Sequence, residues 1–365
     1  MTSWDFLVNR SKLEETKVVE TRPVDLADGQ VRLAVDAFGF SANNITYAAY
    51  GDVIGYWNFF PVGAADAEEG WGRVPVWGFA NVAESRCDDV PVGERVYGYL
   101  PMSTELVVEP GKVRAGSFRD VSPHRSELPS TYNNYVRTEG DPGYDPHLER
   151  EQMLLRPLFF TSFFIDDFIE DNDRFGASVV VITSASSKTA FGTAHLLTAR
   201  SGFTVIGLTS PSNVDFVEGL ECYDQVLSYD DVDQIPSDGG SILLDFAGNA
   251  NVVRAVHEHL ADDLQHSSAI GGTHWDAASA ADTPLPGPAQ MFFFAPSQIE
   301  KRNTEWGGDE MQQRIGEAWL PFIEKTKSLI TYEELVGPDA VNEVYLSHLS
   351  GAARPDIGII LKPGS

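Results

Sequence analysis

The sequence predicts an α/β protein in which a small strand-rich domain precedes a doubly wound parallel sheet. Three observations predict this fold class. Residues 177–210 run as a β-branched segment, a hydroxyl-rich turn, a helical pattern and a second apolar segment, which is the order of a βαβ unit. Before this unit lie short segments in which apolar and polar residues alternate. After it, strand and helix patterns follow each other in turn.

The first third of the chain predicts a β-barrel-like domain of short strands. Its clearest strand, Gln30 to Phe40, follows the Asp28-Gly29 turn and alternates apolar with polar side chains. Ser41 to Asn44 leaves that strand, and a short segment from Ile45 to Tyr50 follows. Further strands are predicted at Val18–Glu20, Val76–Ser85, Arg95–Leu100 and Thr104–Glu109.

Residues 110–150 are rich in polar side chains and interrupt this strand pattern. We expect them to form either a structured lid or a surface insertion. From Glu151 the pattern becomes helical, and Leu158 to Phe168 is strongly apolar and aromatic. This segment is expected to pack where the two domains join.

The βαβ unit begins with a predicted strand at Val179–Ile182 and a loop at Thr183–Thr189. A helix over Ala190–Arg200, closed by Gly202, leads to a second strand at Thr204–Leu208. Beyond it, strands are predicted at Gln225–Leu227, Ser241–Phe246, Ser267–Gly271, Met291–Ala295 and Gly358–Leu361, and helices at Val214–Gly219, Asn251–Leu260, Asp309–Lys327 and Asp339–Leu349. Strands that alternate with helices imply parallel pairing.

Composition and charge exclude several classes of partner. The net charge is −28 and no basic face is evident, so nucleic acid is not an expected partner. No apolar run approaches the roughly 20 residues of a membrane span, and the first residues lack the pattern of a secretory signal. The cysteines, Cys87 and Cys222, predict unpaired thiols in a reducing compartment, so we expect a cytoplasmic protein. A small molecule is the expected ligand, and a homodimer is left open.

The turn after the first strand of the βαβ unit is the candidate cofactor site. Small residues there let backbone amides at the start of the helix approach a pyrophosphate. The window Ser187-Lys188-Thr189-Ala190-Phe191-Gly192 keeps only the last glycine of G-x-G-x-x-G. Lys188 is read either as a solvated turn residue or as a contact to a ligand phosphate. The predicted cofactor contacts of this turn are Ser186, Ser187, Lys188, Thr189, Ala190 and Gly192.

The second strand of the unit bears on the choice of cofactor. A site specific for NAD usually carries Asp or Glu at the end of this strand, where the carboxylate binds the ribose 2′-hydroxyl. Here the strand ends Gly207-Leu208-Thr209-Ser210, without an acid, which favours NADP. Since no Arg or Lys follows to meet a 2′-phosphate, NAD stays open. The hydroxyls of Thr209, Ser210 and Ser212 are the candidate contacts.

Several motifs now appear in the order found in one enzyme superfamily. Gly29–Leu33 leads to Asn44, Gly93–Leu100 follows, and Leu244-Asp245-Phe246-Ala247-Gly248 comes after the βαβ unit and before the closing strand. In this order the chain resembles the medium-chain dehydrogenase/reductase superfamily. The segments at residues 41–47 and 154–168 further resemble its DUF2855 group.

The resemblance implies three parts. Residues 1–155 would form a GroES-like substrate domain with a lid-like insertion near 110–150, and residues 156–300 a Rossmann-like nucleotide-binding domain. Residues 301–365 would complete the first domain, to which the closing strand returns. The resemblance also implies a cleft between the domains, over which Tyr132, Asn133 and Tyr135 are candidates for a lid.

Departures from the zinc-dependent members are informative. Those members carry a Cys after the early strand and a Gly-His-Glu motif, whereas this chain has Ser41 and Trp77-Gly78-Phe79-Ala80. Neither cysteine lies in a Cys/His cluster with ligand spacing, so no metal site and no zinc are predicted. The chain looks more like the zinc-free quinone and enoyl reductases. That resemblance implies transfer of hydride from NADPH to an activated alkene, quinone or carbonyl.

The resemblance also points to residues that would meet the substrate. Asn43 and Asn44 follow the strand that faces the cleft in this superfamily, and they either bind a substrate carbonyl or cap the next helical turn. Tyr47, Tyr50 and Tyr56 lie where zinc-free reductases place a tyrosine donor, with core packing as the alternative.

The end of a later Rossmann strand supplies further candidates. The loop of Gly271, Thr273 and His274 would approach the nicotinamide. His274 is the histidine best placed for proton transfer, with an ordinary surface-loop histidine as the alternative. Trp57, Phe59 and Phe60 suggest an apolar or aromatic substrate, or else a core cluster.

Two other functions keep the same fold. In the first, the protein is a lyase, an aldolase or an isomerase without redox chemistry, in which Lys188 meets an anionic or carbonyl substrate. In the second, the protein binds a ligand without catalysis.

Overall fold

The computed structural model describes residues 3–271 and 284–364. The chain divides into two compact units, Met1–Leu154 with Tyr332–Ser365, and Leu155–Thr331. The sequence-based division assigned everything from residue 301 to the first domain, whereas residues 301–331 lie in the second unit. The helix at residues 308–326 stays there because Phe322 stacks on Phe159 of that unit, with ring centroids 4.7 Å apart.

The regular elements are as follows in chain order. The strands are β1 (Ser3–Asn9), β2 (Lys12–Thr21), β3 (Val31–Phe40), β4 (Trp71–Gly72), β5 (Pro75–Ser85), β6 (Arg95–Pro101), β7 (Glu105–Val108), β8 (Pro110–Gly111), β9 (Ser117–Asp120), β10 (Asn134–Arg137), β11 (Val179–Ile182), β12 (Thr204–Thr209), β13 (Gln225–Ser228), β14 (Ser241–Asp245), β15 (Leu264–Ala269), β16 (Met291–Phe292), β17 (Thr331–Val336) and β18 (Ile357–Lys362). The helices are α1 (Ala42–Ala49), α2 (Gly51–Ile54), α3 (Ala64–Glu68), α4 (Glu149–Leu154), α5 (Arg156–Asp171), α6 (Lys188–Ala199), α7 (Val214–Gly219), α8 (Ala250–Leu260), α9 (Ala295–Glu305), α10 (Gly308–Thr326) and α11 (Pro338–Leu349).

The first unit is built on two sheets. A small sheet has the order β2-β1-β4, and a larger one runs β17-β18-β3-β5-β6-β10-β9-β8, with β7 also paired to β3. β18 pairs antiparallel with β3 and sets Ile360 opposite Gly39. This pairing confirms that the closing strand returns to the first domain.

Residues 110–150 are part of the larger sheet, through β8, β9 and β10. Tyr135 on β10 is fully buried, stacks on Phe118, and donates a hydrogen bond to the carbonyl of Tyr99 at 2.8 Å. Asn133 is buried beside it and donates to the carbonyl of Arg125 at 3.0 Å. The lid predicted for Tyr135 and Asn133 is therefore wrong, since strand pairing and burial hold both in the core of the first unit.

The second unit contains a parallel sheet with the order β13-β12-β11-β14-β15-β16. β11 pairs in parallel with β12 on one side and β14 on the other, so the connectivity reverses direction between β11 and β14. Every residue of β11 is buried, as expected for a strand covered on both faces. The predicted doubly wound sheet is confirmed.

Helix α6 is held tightly against α5. The Ser162 hydroxyl on α5 donates to the carbonyl of Thr189 at 2.8 Å, and Asp166 makes a two-pronged ion pair with Arg200 just beyond α6. A Cβ placed on Gly192 would lie 2.7 Å from the Ser162 Oγ. A side chain at residue 192 would therefore displace the Ser162 hydroxyl from its hydrogen bonds to the carbonyls of Leu158 and Thr189.

We predict that Gly192→Ala destabilises the protein. Alanine favours a helix over glycine by about 1 kcal/mol, but the added methyl collides with Ser162, and overpacking costs about 1–3 kcal/mol. Urea unfolding should show a lower midpoint at an unchanged m-value.

Gly316 of α10 is the matched control, because a Cβ there would meet no atom within 4 Å. Gly316→Ala should stabilise the protein by about 0.5–1 kcal/mol through helix propensity alone. In the double variant Ser162→Ala/Gly192→Ala, part of the loss should be recovered. Equal stabilisation by the two glycine substitutions would contradict this packing account.

Candidate functional site

The turn between β11 and α6 lies at the carboxyl edge of the parallel sheet. Ser187 is the N-cap of α6, and its Oγ accepts the N–H of Ala190 at 3.3 Å. Lys188 and Thr189 form the first turn of the helix and are half-buried. The first amides of a helix have no partner within it and carry a partial positive charge, so this end of α6 favours an anionic group.

Ser184 departs from ordinary backbone geometry in this turn. Its φ is 49°, in the left-handed region that favours glycine. Its N–H donates to the hydroxyl of Tyr229, which follows β13, at 3.1 Å. Burial raises the pKa of Tyr229 to about 12, against the pull of the Ser184 hydrogen bond. The phenol therefore stays neutral and keeps its own proton to donate.

The end of β12 presents neutral polar groups. Thr209 is 1% exposed, so its side chain is removed from the solvent-facing edge. Ser210 is half-buried, and its hydroxyl lies 3.2 Å from that of Ser212. Asn213 donates to the hydroxyl of Ser186 at 3.3 Å and so joins this edge to the turn before α6.

Thr183 and Asp245 meet where the connectivity reverses. The Thr183 hydroxyl donates to Asp245 Oδ1 at 2.6 Å, and Thr183 Oγ1 accepts the N–H groups of Phe246 and Ala247 at 3.0 and 3.2 Å. Burial raises the pKa of Asp245, while the hydrogen bonds from Thr183 and the following amides act in the opposite direction. This pair joins the ends of β11 and β14.

The start of the loop after β15 contacts the end of β14, at Asp245 and Phe246. Gly271 donates its N–H to the carbonyl of Asp245 at 3.3 Å, and a Cβ on Gly271 would lie 2.9 Å from the carbonyl oxygen of Phe246. Gly271 therefore lies at the predicted edge, and a side chain there would push the two loops apart. Thr273 and His274 lie outside the described residues.

In the first unit, the two asparagines predicted as substrate contacts, Asn43 and Asn44, differ in burial. Asn44 is buried, its side-chain oxygen accepts the N–H of Ser41 at 2.9 Å, and its amide nitrogen donates to the carbonyl of Pro75 at 2.9 Å. The Asn44 side-chain oxygen thus caps the start of α1, which is the alternative to a substrate contact, and its nitrogen ties α1 to Pro75 of β5. Asn43 is half-buried in the first turn of the same helix.

Tyr47 and Tyr56 belong to a cluster of buried aromatic rings. Their ring centroids are 4.5 Å apart, and the Tyr56 hydroxyl lies 3.2 Å from that of Tyr132. Burial raises the pKa of Tyr47 and of Tyr56, so both phenols keep their protons. Tyr50 lies at the junction of α1 and α2 and is half-buried. Tyr132, predicted as a lid residue, is a member of this cluster.

The same cluster bears on the expected substrate. Trp57, Phe59 and Phe60 are all at most 5% exposed, so they are core residues, the simpler of the two alternatives.

Three signals could have been found in the sequence and were not. Thr183 directly follows the first strand of the βαβ unit, Asp245 ends the fourth parallel strand, and Tyr229 directly follows the third. Each lies at a carboxyl strand end, where ligands of such sheets bind.

The described residues show neither a metal-binding cluster nor a membrane-spanning helix. Within residues 3–271 and 284–364, no three His, Cys, Asp or Glu side chains lie close enough together to hold a metal ion. Over the same ranges, no helix is both long and apolar enough to cross a membrane.

Solved structures share this fold over nearly the whole chain. CurA from Vibrio vulnificus in complex with NADPH is 13% identical, with 99% of each chain covered and a TM-score of 0.65. The yhdH oxidoreductase from Salmonella enterica in complex with NADP is 14% identical, with 99% of each chain covered and a TM-score of 0.56. A mutant enoyl thioester reductase from Candida tropicalis is 12% identical, covering 99% of this chain and all of that one, with a TM-score of 0.57.

These likenesses confirm the predicted combination of a GroES-like unit and a Rossmann unit. No curated protein matches the sequence. One family model, described as a protein of unknown function, DUF2855, matches residues 38–354. The chain therefore belongs to the DUF2855 family.

Proposed function

We propose that this protein is an NADPH-dependent reductase that works without zinc. The observation that carries the proposal is the reversal of connectivity between β11 and β14, with the start of α6 directly after β11. Ligands of doubly wound sheets bind at the carboxyl edge at this point. The structures of the same fold from Vibrio vulnificus and Salmonella enterica were solved with NADPH and NADP.

The residues at this edge fit a dinucleotide. The capped start of α6 offers amides, and Lys188 adds a positive charge, which together suit a pyrophosphate. Ala190 and Gly192 keep the first turns of the helix small. The loops that contain Gly271 and Phe246 pack against each other beside this edge, so closely that a Cβ on Gly271 would lie 2.9 Å from the carbonyl oxygen of Phe246.

The end of β12 supports NADPH over NADH. Ser210, Ser212 and Asn213 are neutral hydrogen-bonding residues, and residues 204–213 contain no carboxylate to bind a 2′-hydroxyl or repel a 2′-phosphate. Hydroxyl and amide donors can bond phosphate oxygens without a full positive charge.

NADPH, when bound, supplies a hydride to the electron-poor carbon of an activated alkene, quinone or carbonyl. The chain must hold the proton that the other reacting atom receives. Tyr56 is the proposed donor, because burial keeps its phenol protonated and Tyr132 hydrogen-bonds its oxygen. The donor position of zinc-free reductases, which the sequence resembles, supports this choice.

The non-redox alternative, in which Lys188 meets an anionic or carbonyl substrate, stays an untested prediction. A small apolar or aromatic compound as the substrate also stays a prediction.

We predict that NADPH binds at least about tenfold more tightly than NADH, a difference of about 1.4 kcal/mol. Lys188→Met should weaken NADPH binding by about tenfold or more, because a charge-assisted hydrogen bond to phosphate is lost. Titration calorimetry measures both affinities.

Lys327→Met is the matched control, because Lys327 is the exposed C-cap residue of α10, pairs with Glu324, and is not among the proposed cofactor contacts. Its NADPH affinity should equal that of the unsubstituted protein. If neither nucleotide binds the unsubstituted protein, the reductase proposal is wrong.

We predict that Tyr56→Phe lowers kcat by about 100-fold or more, the usual contribution of a general acid, and leaves NADPH affinity unchanged. The unsubstituted enzyme should show no loss of rate through this phenol below about pH 10, because burial raises the pKa of Tyr56 above its ordinary value of about 10. NADPH oxidation should be followed with a quinone, an α,β-unsaturated ketone and an aldehyde.

Tyr345→Phe is the control, because Tyr345 is also buried in the first unit and its hydroxyl has no hydrogen-bond partner in the described part of the chain. Its kcat should not change. An unchanged kcat in Tyr56→Phe would remove Tyr56 from the mechanism.

A further inference from the structure

The Thr183 hydroxyl is fully used inside the protein. It donates its one proton to Asp245 Oδ1 and accepts the amides of Phe246 and Ala247 on its two lone pairs. The Asp245 Oδ1 also accepts the amides of Ala247 and Gly248, at 3.1 and 3.2 Å. Two buried side chains thus hold the first three residues of the loop after β14.

These hydrogen bonds join the ends of β11 and β14, the two neighbouring strands between which the connectivity of the sheet reverses. β11 and β14 pair in parallel up to Ile182 and Leu244, and Thr183 and Asp245 are the next residue on each strand path. A valine of the same shape as Thr183 would leave the Phe246 amide buried without its acceptor, while the Ala247 amide would keep only Asp245 Oδ1. An unsatisfied buried amide is costly, so the loop would move to find another partner.

The loop belongs to one half of the proposed ligand site. A dinucleotide-binding sheet consists of two mononucleotide halves, and the end of the second strand, here β12, meets the adenosine ribose. The ends of β14 and β15 lie on the other side of β11 from β12. The loop at residues 245–248 therefore faces the nicotinamide half.

We propose that Thr183 and Asp245 are positioning residues that fix the loop at residues 245–248 for the nicotinamide half of the cofactor, a role that rests on the proposed reductase function. They act through the amides of Phe246, Ala247 and Gly248. Displacement of the reacting atoms by about 1 Å slows a reaction by up to about 100-fold, because rates depend steeply on their placement.

Thr183→Val tests the proposal with two ligands. NADPH spans both halves of the site, whereas adenosine 2′,5′-bisphosphate fills only the adenosine half. We expect Thr183→Val to weaken NADPH by about tenfold or more and to lower kcat, with the affinity for the bisphosphate unchanged. Thr183→Ser keeps the hydroxyl and should restore both NADPH affinity and kcat.

Thr326→Val is the matched control, because Thr326 is buried in α10 and its hydroxyl donates to a backbone carbonyl, that of Ile323, at 2.9 Å. It should lose stability without any change in either affinity. If Thr183→Val does not fold, Thr183→Ala replaces it, since a water can then bond the two amides while the loop loses its fixed position.

The outcomes separate the two proposals. If the unsubstituted protein binds neither NADPH nor the bisphosphate, the reductase proposal fails. If it binds both and the Thr183 variant weakens both equally, or weakens neither, the positioning role is overturned and the reductase proposal stands.

Discussion

The parallel pairing of β11 with both β12 and β14 is the constraint on which the rest of the second unit depends. Because the connectivity reverses beside β11, the segments that follow β11 and β14 turn away from each other and leave their backbone groups at the carboxyl edge. The start of α6, the Ser184–Tyr229 hydrogen bond and the Thr183–Asp245 bond all occur at this edge. The chain uses serine and threonine hydroxyls to organise an edge where related folds use glycines.

The sequence predicted the elements whose side chains carry the pattern themselves. Val179–Ile182 is a run of β-branched residues, which favours a buried strand, and α10 and α11 show helical spacing. β17 was missed because its residues are mostly exposed and show no apolar alternation. It forms a strand because its backbone pairs with β18. The helix α9 was missed because its sequence is polar and has no clear apolar face. Contacts with another helix hold it in place: Arg302 and Gln298 hydrogen-bond to Asp167 on α5.

The candidate site was predictable only in part. The start of α6 is visible in the sequence, because a strand, small residues and a helix follow one another. The positions of Thr183, Asp245 and Tyr229 at strand ends can be read from the sequence, but their hydrogen bonds join residues at least 45 positions apart, so no local pattern reveals their partners. Asn44 shows the same limit. Its sequence position allows a substrate contact or a helix cap. The Ser41 N–H bonds its side-chain oxygen, which forms the cap, and the carbonyl of Pro75, 31 residues away, accepts a hydrogen bond from its nitrogen.

We propose that NADPH occupies the carboxyl edge of the parallel sheet, where the connectivity reverses beside β11. Amide hydrogen exchange with and without NADPH tests it directly, because a bound ligand slows exchange where it shields or stabilises the backbone. We expect slower exchange at residues 184–190 and 246–248, with β1 and β2 of the first unit unaffected. Unchanged exchange in both segments at saturating NADPH would contradict it.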